Sequence, residues 1–146
     1  MAAKKQKSTT RSDTSLKSLD LYTFFLDRAS ESKSLREALR DLGARVEIHR
    51  DYYIDDENDQ VWLPEVAAKG WVIISQDQFN ELERQAIRNA GGRAFLIVEG
   101  SMTGEEQAAI VVGAMHRMLR ILKAVPAPFI ARIYRAKRVL IIPKEK

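Results

Sequence analysis

The sequence predicts an α/β fold: a mostly parallel sheet with helices on both faces. Three observations predict it. Apolar runs alternate with helical stretches, strand then helix, four times over, and one or two strands follow. The apolar runs are continuous rather than alternating, as in strands covered on both sides. At 146 residues, the chain has single-domain size and can bury a core of its own.

The elements follow in order. Residues 1–19 are polar, Ser/Thr-rich and without periodicity, and read as a disordered basic tail ahead of a domain at 20–146. "LYTFFL" (21–26) reads as the first buried strand. The next stretch sets Leu35, Ala38, Leu39 and Leu42 at helical spacing, with Gly43 placed to end the helix. "ARVEIH" (44–49) is a second strand, and "RDYYIDDENDQ" (50–60) an acidic loop. "VWLPEVAAK" (61–69) is helical in part, its start obscured by Pro64. "WVIIS" (71–75) is the third strand. It is followed by a helix with Phe79, Leu82 and Ala86 on one face, ended by Gly91-Gly92. "RAFLIV" (93–98) is the fourth strand. Thr103 and Glu106 have the spacing of a capping box. They open a long helix whose face carries Ala108, Val111, Val112, Met115, Met118, Leu119 and Leu122. "VPAP" breaks that helix, and "FIARIY" and "RVLIIP" form a final hairpin around Ala136-Lys137.

Composition narrows the function classes. The absence of cysteine excludes a disulfide framework or a thiolate metal cage and fits a reducing cytoplasm. No apolar run approaches the roughly 20 residues of a membrane span, and the N-terminus lacks the apolar stretch of a signal peptide. The net charge of +4 is uneven: residues 1–19 carry +4, residues 132–146 carry +5, and the body between carries about −5. Basic ends around an acidic body suit a polyanionic substrate, and they equally suit solvated termini.

In open α/β sheets, ligands bind beyond the carboxyl ends of the strands, where strand order reverses. The first strand ends on Asp27 and the third on "ISQD", with Asp77. With a strand order beginning 2-1-3, the two carboxylates become neighbours. The loop after the second strand supplies further acids at Asp55, Asp56, Glu57 and Asp59. Converging carboxylates need a cation or raised pKa values. An all-oxygen donor set selects a hard cation, Mg²⁺ or Mn²⁺, which activates water for attack on a phosphate. The competing assignment makes Asp77 the N-cap of the following helix and Asp27 a turn residue. A phosphorylated receiver domain also carries aspartates after strands one and three. It needs an acidic pair after the first strand and a lysine after the fifth, and "LDRAS" and "PFIARIY" offer neither.

With these residues placed, the chain from Leu21 to Pro143 resembles the PIN-like domains, and among them the VapC-type toxins. "FFLDRASESKSLREALRDLG" resembles that branch's opening strand, acid and first helix. Asp59 stands three residues before Trp62-Leu63, as in an acid-x-x-Trp-aliphatic motif, and "ISQD" matches a strand ending in Ser/Thr-x-Asp. "LERQAIRNAGGRAFLI" resembles the stretch that follows, with Glu83 in its helix. The resemblance implies a Rossmann-like sheet and an endoribonuclease of the toxin–antitoxin type. Asp27, Asp59 and Asp77 would be its catalytic residues and its ligands to Mg²⁺ or Mn²⁺, and Glu83 a fourth acid or a structural ion-pair partner. RNA, an antitoxin protein and a second copy of the chain are the implied partners, and a membrane is not. The chain departs from many relatives at Arg28, where they have Asn, and at Gln76, where they have a basic or small residue. The later acid of a full quartet is represented by position alone, at Glu99 or Glu105. A thinned acidic set also fits a non-catalytic module that binds RNA or a protein partner.

Other residues are read both ways. His49 either assists at the acidic loop or is a surface or satisfied strand-end histidine, and His116 lies on a solvated helix face. Trp62 and Trp71 are core residues before they are base-stacking ones, whereas Tyr52 and Tyr53 are placed for stacking or a partner contact. Arg132, Arg135, Lys137 and Arg138 either hold an RNA backbone or face solvent from the final strand pair.

Overall fold

The computed structural model of the chain describes residues 16–54, 57–98 and 102–143. Five apolar runs become parallel strands: β1 (Thr23–Leu26), β2 (Arg45–Ile48), β3 (Val72–Ser75), β4 (Arg93–Ile97) and β5 (Phe129–Ile133). A short antiparallel strand, β6 (Val139–Ile141), closes the edge. The sheet order is β2-β1-β3-β4-β5-β6, so the chain reverses direction across the sheet at β1. Leu26 is level with both Ile48 and Ile74. The residues just beyond them, Asp27, His49 and Ser75, therefore leave the sheet side by side.

Four helices cover the strands: α1 (Lys33–Asp41), α2 (Asp59–Ala68), α3 (Glu81–Asn89) and α4 (Gly104–Ala124). Successive strand side chains face opposite sides, and β1 shows the result. Phe24 and Leu26 enter a core shared with α1 and α4, while Phe25 enters one shared with α2 and α3. The first core is mostly aliphatic, with Leu35, Leu39, Met115, Met118 and Leu119 from the helices. The second is smaller and aromatic, built around Phe25, Trp62 and Phe79. Gly92 is required where α2 and α3 meet β4, because a Cβ there would lie 2.6 Å from that of Ala67.

The fold expectation holds: an α/β, Rossmann-like, mostly parallel sheet with helices on both faces, and the 2-1-3 strand order. The Thr103 cap and the chain reversal at Gly43 (φ 99°) agree with the helix signals, and Ser32 caps α1. Several boundaries differ. Within the expected 1–19 tail, Lys17–Leu21 form a 3₁₀ turn with Leu19 fully buried, and residues 1–15 lie outside the described residues. Leu21 is exposed, because the strand starts two residues later than the apolar run. The acidic loop is shorter than its composition suggests, since α2 begins at Asp59. Asn58 caps it by accepting the Gln60 amide, and Pro64 is accommodated inside the helix. Phe79 precedes α3 in a left-handed conformation (φ 56°), which shifts the helix phase: Leu82 is exposed and Ile87 is the buried residue. On α4, Val112 is exposed and Gln107 is buried, and most of the apolar face lies in the chain's own core. Among the described residues, no helix is long and apolar enough to cross a membrane.

Candidate active site

Asp27 follows β1 directly and is 5% exposed. The Ser75 hydroxyl donates to its Oδ2 at 2.5 Å, and its Oδ1 has no hydrogen-bond partner. Ser75, fully buried at the end of β3, also accepts the backbone N–H of Asp77 at 2.8 Å. One hydroxyl thus ties the end of β1 to the loop after β3 and sets the spacing between two aspartates. Asp77 does not cap α3. Its Oδ1 accepts the Phe79 amide at 2.8 Å in a local turn. The cap is Asn80, in a reciprocal capping box with Glu83. The competing assignment of Asp77 as a cap is therefore overturned: the backbone needs Asp77 for the turn and Asn80 for the helix.

Asp59 reaches the same place from α2. It is the first helical residue, so the acid-x-x-Trp spacing becomes an i,i+3 pair on one helix face. The Trp62 indole N–H donates to Asp59 Oδ1 at 2.8 Å. Trp62 is buried against Phe25, Phe79 and His49, so the donor is rigid. Asp27, Asp59 and Asp77 line one pocket of about 290 Å³, together with Arg28, Ala29, His49 and Trp62.

The electrostatics follow from this crowding. Burial pushes the Asp27 carboxyl up from 3.8 to about 7; the Ser75 hydrogen bond opposes the rise, and Asp77 and Asp59 add to it. Glu83, on α3, is raised first by burial, with the Asn80 amide opposing. Asp59, and then Asp77, beside it raise it further.

Among the described residues, no three His, Asp or Glu side chains stand close enough to form a ready-made metal cage. A hard divalent cation does not require one: Mg²⁺ is held by one or two carboxylates, waters and substrate phosphate. The donor set fits such an ion. It is all oxygen, and it includes a buried carboxylate oxygen with no partner.

The structure brings Asp27, Asp59 and Asp77 to one pocket and places Glu83 against Asp59. Glu105 is exposed on the first turn of α4, and Glu99, Asp55 and Asp56 lie outside the described residues. His49 is fully buried among Phe25, Tyr53 and Trp62, not a surface residue. Tyr53 is also turned inward, donating to Glu65 at 2.7 Å. Sequence reasoning missed Ser75 as the link between the aspartates and Gln107 as a buried crosslink. Gln107 Nε2 donates to the Ala29 carbonyl at 3.2 Å and to Gln76 Oε1 at 2.7 Å. The Ser in "ISQD" was a usable signal; nothing marked Gln107 apart from its place on an apolar helix face.

Residues 23–99, more than half of the chain, match the family described as "PIN like domain". The chain belongs to the PIN-like domain family. The match runs from β1 past the end of β4, so Asp27, Asp59, Asp77 and Glu83 lie within it. The domain is also similar to a Mycobacterium tuberculosis protein named "Putative ribonuclease VapC45". The two are 26% identical over 130 residues, covering 84% of this chain and 94% of that protein. No solved structure matches the chain significantly.

Proposed function

We propose that this PIN-like domain is a metal-dependent endoribonuclease of the toxin–antitoxin type, hydrolysing RNA phosphodiester bonds at the acidic pocket. One observation carries the reading: Asp27, Asp59 and Asp77 converge there from three separate elements, with one Asp27 oxygen buried and unpartnered. The similar protein's name as a ribonuclease supports the same chemistry.

In this reading, Asp27, Asp59 and Asp77 hold Mg²⁺ or Mn²⁺, and Glu83 acts from behind Asp59. The bound metal supplies Lewis acidity and a water of lowered pKa. The protein supplies placement. Ser75 fixes Asp27 relative to Asp77, and Trp62 fixes Asp59. To hold such an ion, the Asp27 carboxyl would give up its proton. Arg28 and Asp77 are the exposed members of the lining beside Ala29, and a phosphodiester would meet them on entering. An antitoxin protein, a second copy of the chain and a cytoplasmic place of action belong to the same reading.

The test is cleavage of a mixed RNA pool by the purified chain with Mg²⁺ or Mn²⁺, with chelator, and by Asp77→Asn. Metal-dependent cutting that disappears in Asp77→Asn is the expected result. Cutting that survives the substitution places the activity elsewhere. No cutting together with no Mn²⁺ binding leaves a non-catalytic binding module.

A further inference from the structure

Next to Asp77, outside the residues that line the acidic pocket, two arginines converge on Gln78. In β5, Ile130 points into the aromatic core, and Arg132, two residues on, falls on the same side of the sheet and is half-buried. Its Nε donates to Gln78 Oε1 at 3.3 Å. Gln78 is held independently: its Nε2 donates to the Ile97 carbonyl at 2.8 Å. Its own carbonyl accepts Nε and Nη2 of Arg84 at 3.1 and 2.9 Å. Two half-buried guanidinium groups therefore converge on one neutral residue. Among the described residues, neither forms an ion pair with a carboxylate within 4.0 Å.

Partly desolvated cations without a counter-charge are unfavourable, and an anion at that position relieves the cost. The location says which anion. Gln78 follows Asp77 directly, so the pair stands beside the acidic pocket. Strand spacing puts Arg132 about 10 Å from β3, two strands across. An acidic pocket repels an RNA backbone unless cations beside it offset the repulsion. Arg132 hydrogen-bonds to Gln78 through Nε. Its two terminal nitrogens have the planar geometry that grips a phosphate with paired hydrogen bonds.

We propose that Arg132, backed by Arg84 through Gln78, is a phosphate-binding subsite that holds an RNA backbone phosphate flanking the one at the acidic pocket. The choice of RNA as occupant rests on the nuclease reading above.

The experiment measures binding of a labelled single-stranded RNA pool in chelator across a salt series. The full-length chain carries Asp77→Asn throughout so that the RNA stays intact. One lost phosphate contact lowers the slope of log affinity against log salt by about 0.7 for a single strand. Arg132→Gln is expected to show that drop and to bind several-fold more weakly at low salt. Arg132→Lys is expected to keep the slope while binding a few-fold more weakly, since it keeps the charge and loses the planar grip. An unchanged slope in Arg132→Gln with a lowered Tm means a structural arginine and overturns the proposal. So does undetectable RNA binding by the Arg132 chain. So does sensitivity confined to a polyglutamate probe, which would indicate an acidic protein partner. If Arg132→Gln does not fold, RNA affinity of Arg132→Lys equal to that of the Arg132 chain overturns it. The nuclease reading fails separately: a changed slope in a chain that never cuts RNA with Mg²⁺ or Mn²⁺ keeps the subsite and removes the nuclease.

Discussion

On the side of the sheet covered by α1 and α4, the buried helix residues are apolar except Gln107. On the side covered by α2 and α3, Phe25, Trp62 and Phe79 meet His49 and Tyr53, and side-chain N–H and O–H groups reach carboxylates. Both sides exclude water, but only the second can orient charge. An aliphatic core offers no donors, whereas Trp and Tyr combine large apolar area with a polar tip. The acids of the site accordingly lean on the aromatic side: Asp59 on Trp62, and Glu83 on a helix packed there. The aliphatic side holds the ends of β1 and β3 at a fixed spacing.

Substitutions on the two sides should separate activity from stability. The largest effect is expected at the acids, where Asp27→Asn should lower metal-dependent cleavage by about 10²–10⁴-fold, the scale of a lost group that places or activates water. Single-turnover cleavage measures it, with circular dichroism reporting an intact fold. On the other side, Leu119→Ala should cost roughly 2–5 kcal/mol of stability by opening a cavity, read by urea denaturation. The Mn²⁺ affinity of the folded fraction should not change. A large change there would show that the two cores are not independent.

The pH dependence sharpens the comparison. The folded Asp27 carboxyl titrates near 7 instead of its ordinary 3.8. Between those values, the folded chain keeps a proton that the unfolded chain releases. Stability contributed by this group is therefore full below the lower value and falls as pH rises to about 7, by an amount on the order of a few kcal/mol. Denaturation in chelator at pH 5 and pH 8 should show Asp27→Asn gaining on the unsubstituted chain at pH 8. Mn²⁺ affinity should run the other way, rising through neutrality as the proton leaves. Trp62→Phe keeps the ring and removes the donor to Asp59, and should weaken Mn²⁺ binding about 10–100-fold. Asn80→Ala removes the α3 cap and should cost about 1 kcal/mol in denaturation experiments, with cleavage retained.

The legible parts of this protein were those set by short-range pattern. Continuous apolar runs marked β1, β3 and β4, and a carboxylate at the end of two of them marked the site before any geometry was known. The i,i+3 spacing of Asp59 and Trp62 was visible, but its purpose was not. A polar run containing Asp59 reads as loop, and only the Asn58 cap and the buried indole make it helix. Asp77 was the cap that the sequence suggested. The choice went to Asn80 because the left-handed turn at Phe79 delays the helix. Leu19 looked like tail because no periodicity surrounds it, yet the core of the first side has room for it.

By itself, the sequence determined the α/β class, the order of strands and helices, and which acids end which strands. Period-2 and period-3.6 patterns are local, and they survive without knowledge of neighbours. Only the tertiary structure decided which groups meet. Ser75 reaches Asp27 across 48 residues, Gln107 reaches Ala29 across 78, and Arg132 reaches Gln78 across 54. Such pairs leave no spacing in the chain, because the register of parallel strands, not sequence distance, sets them side by side.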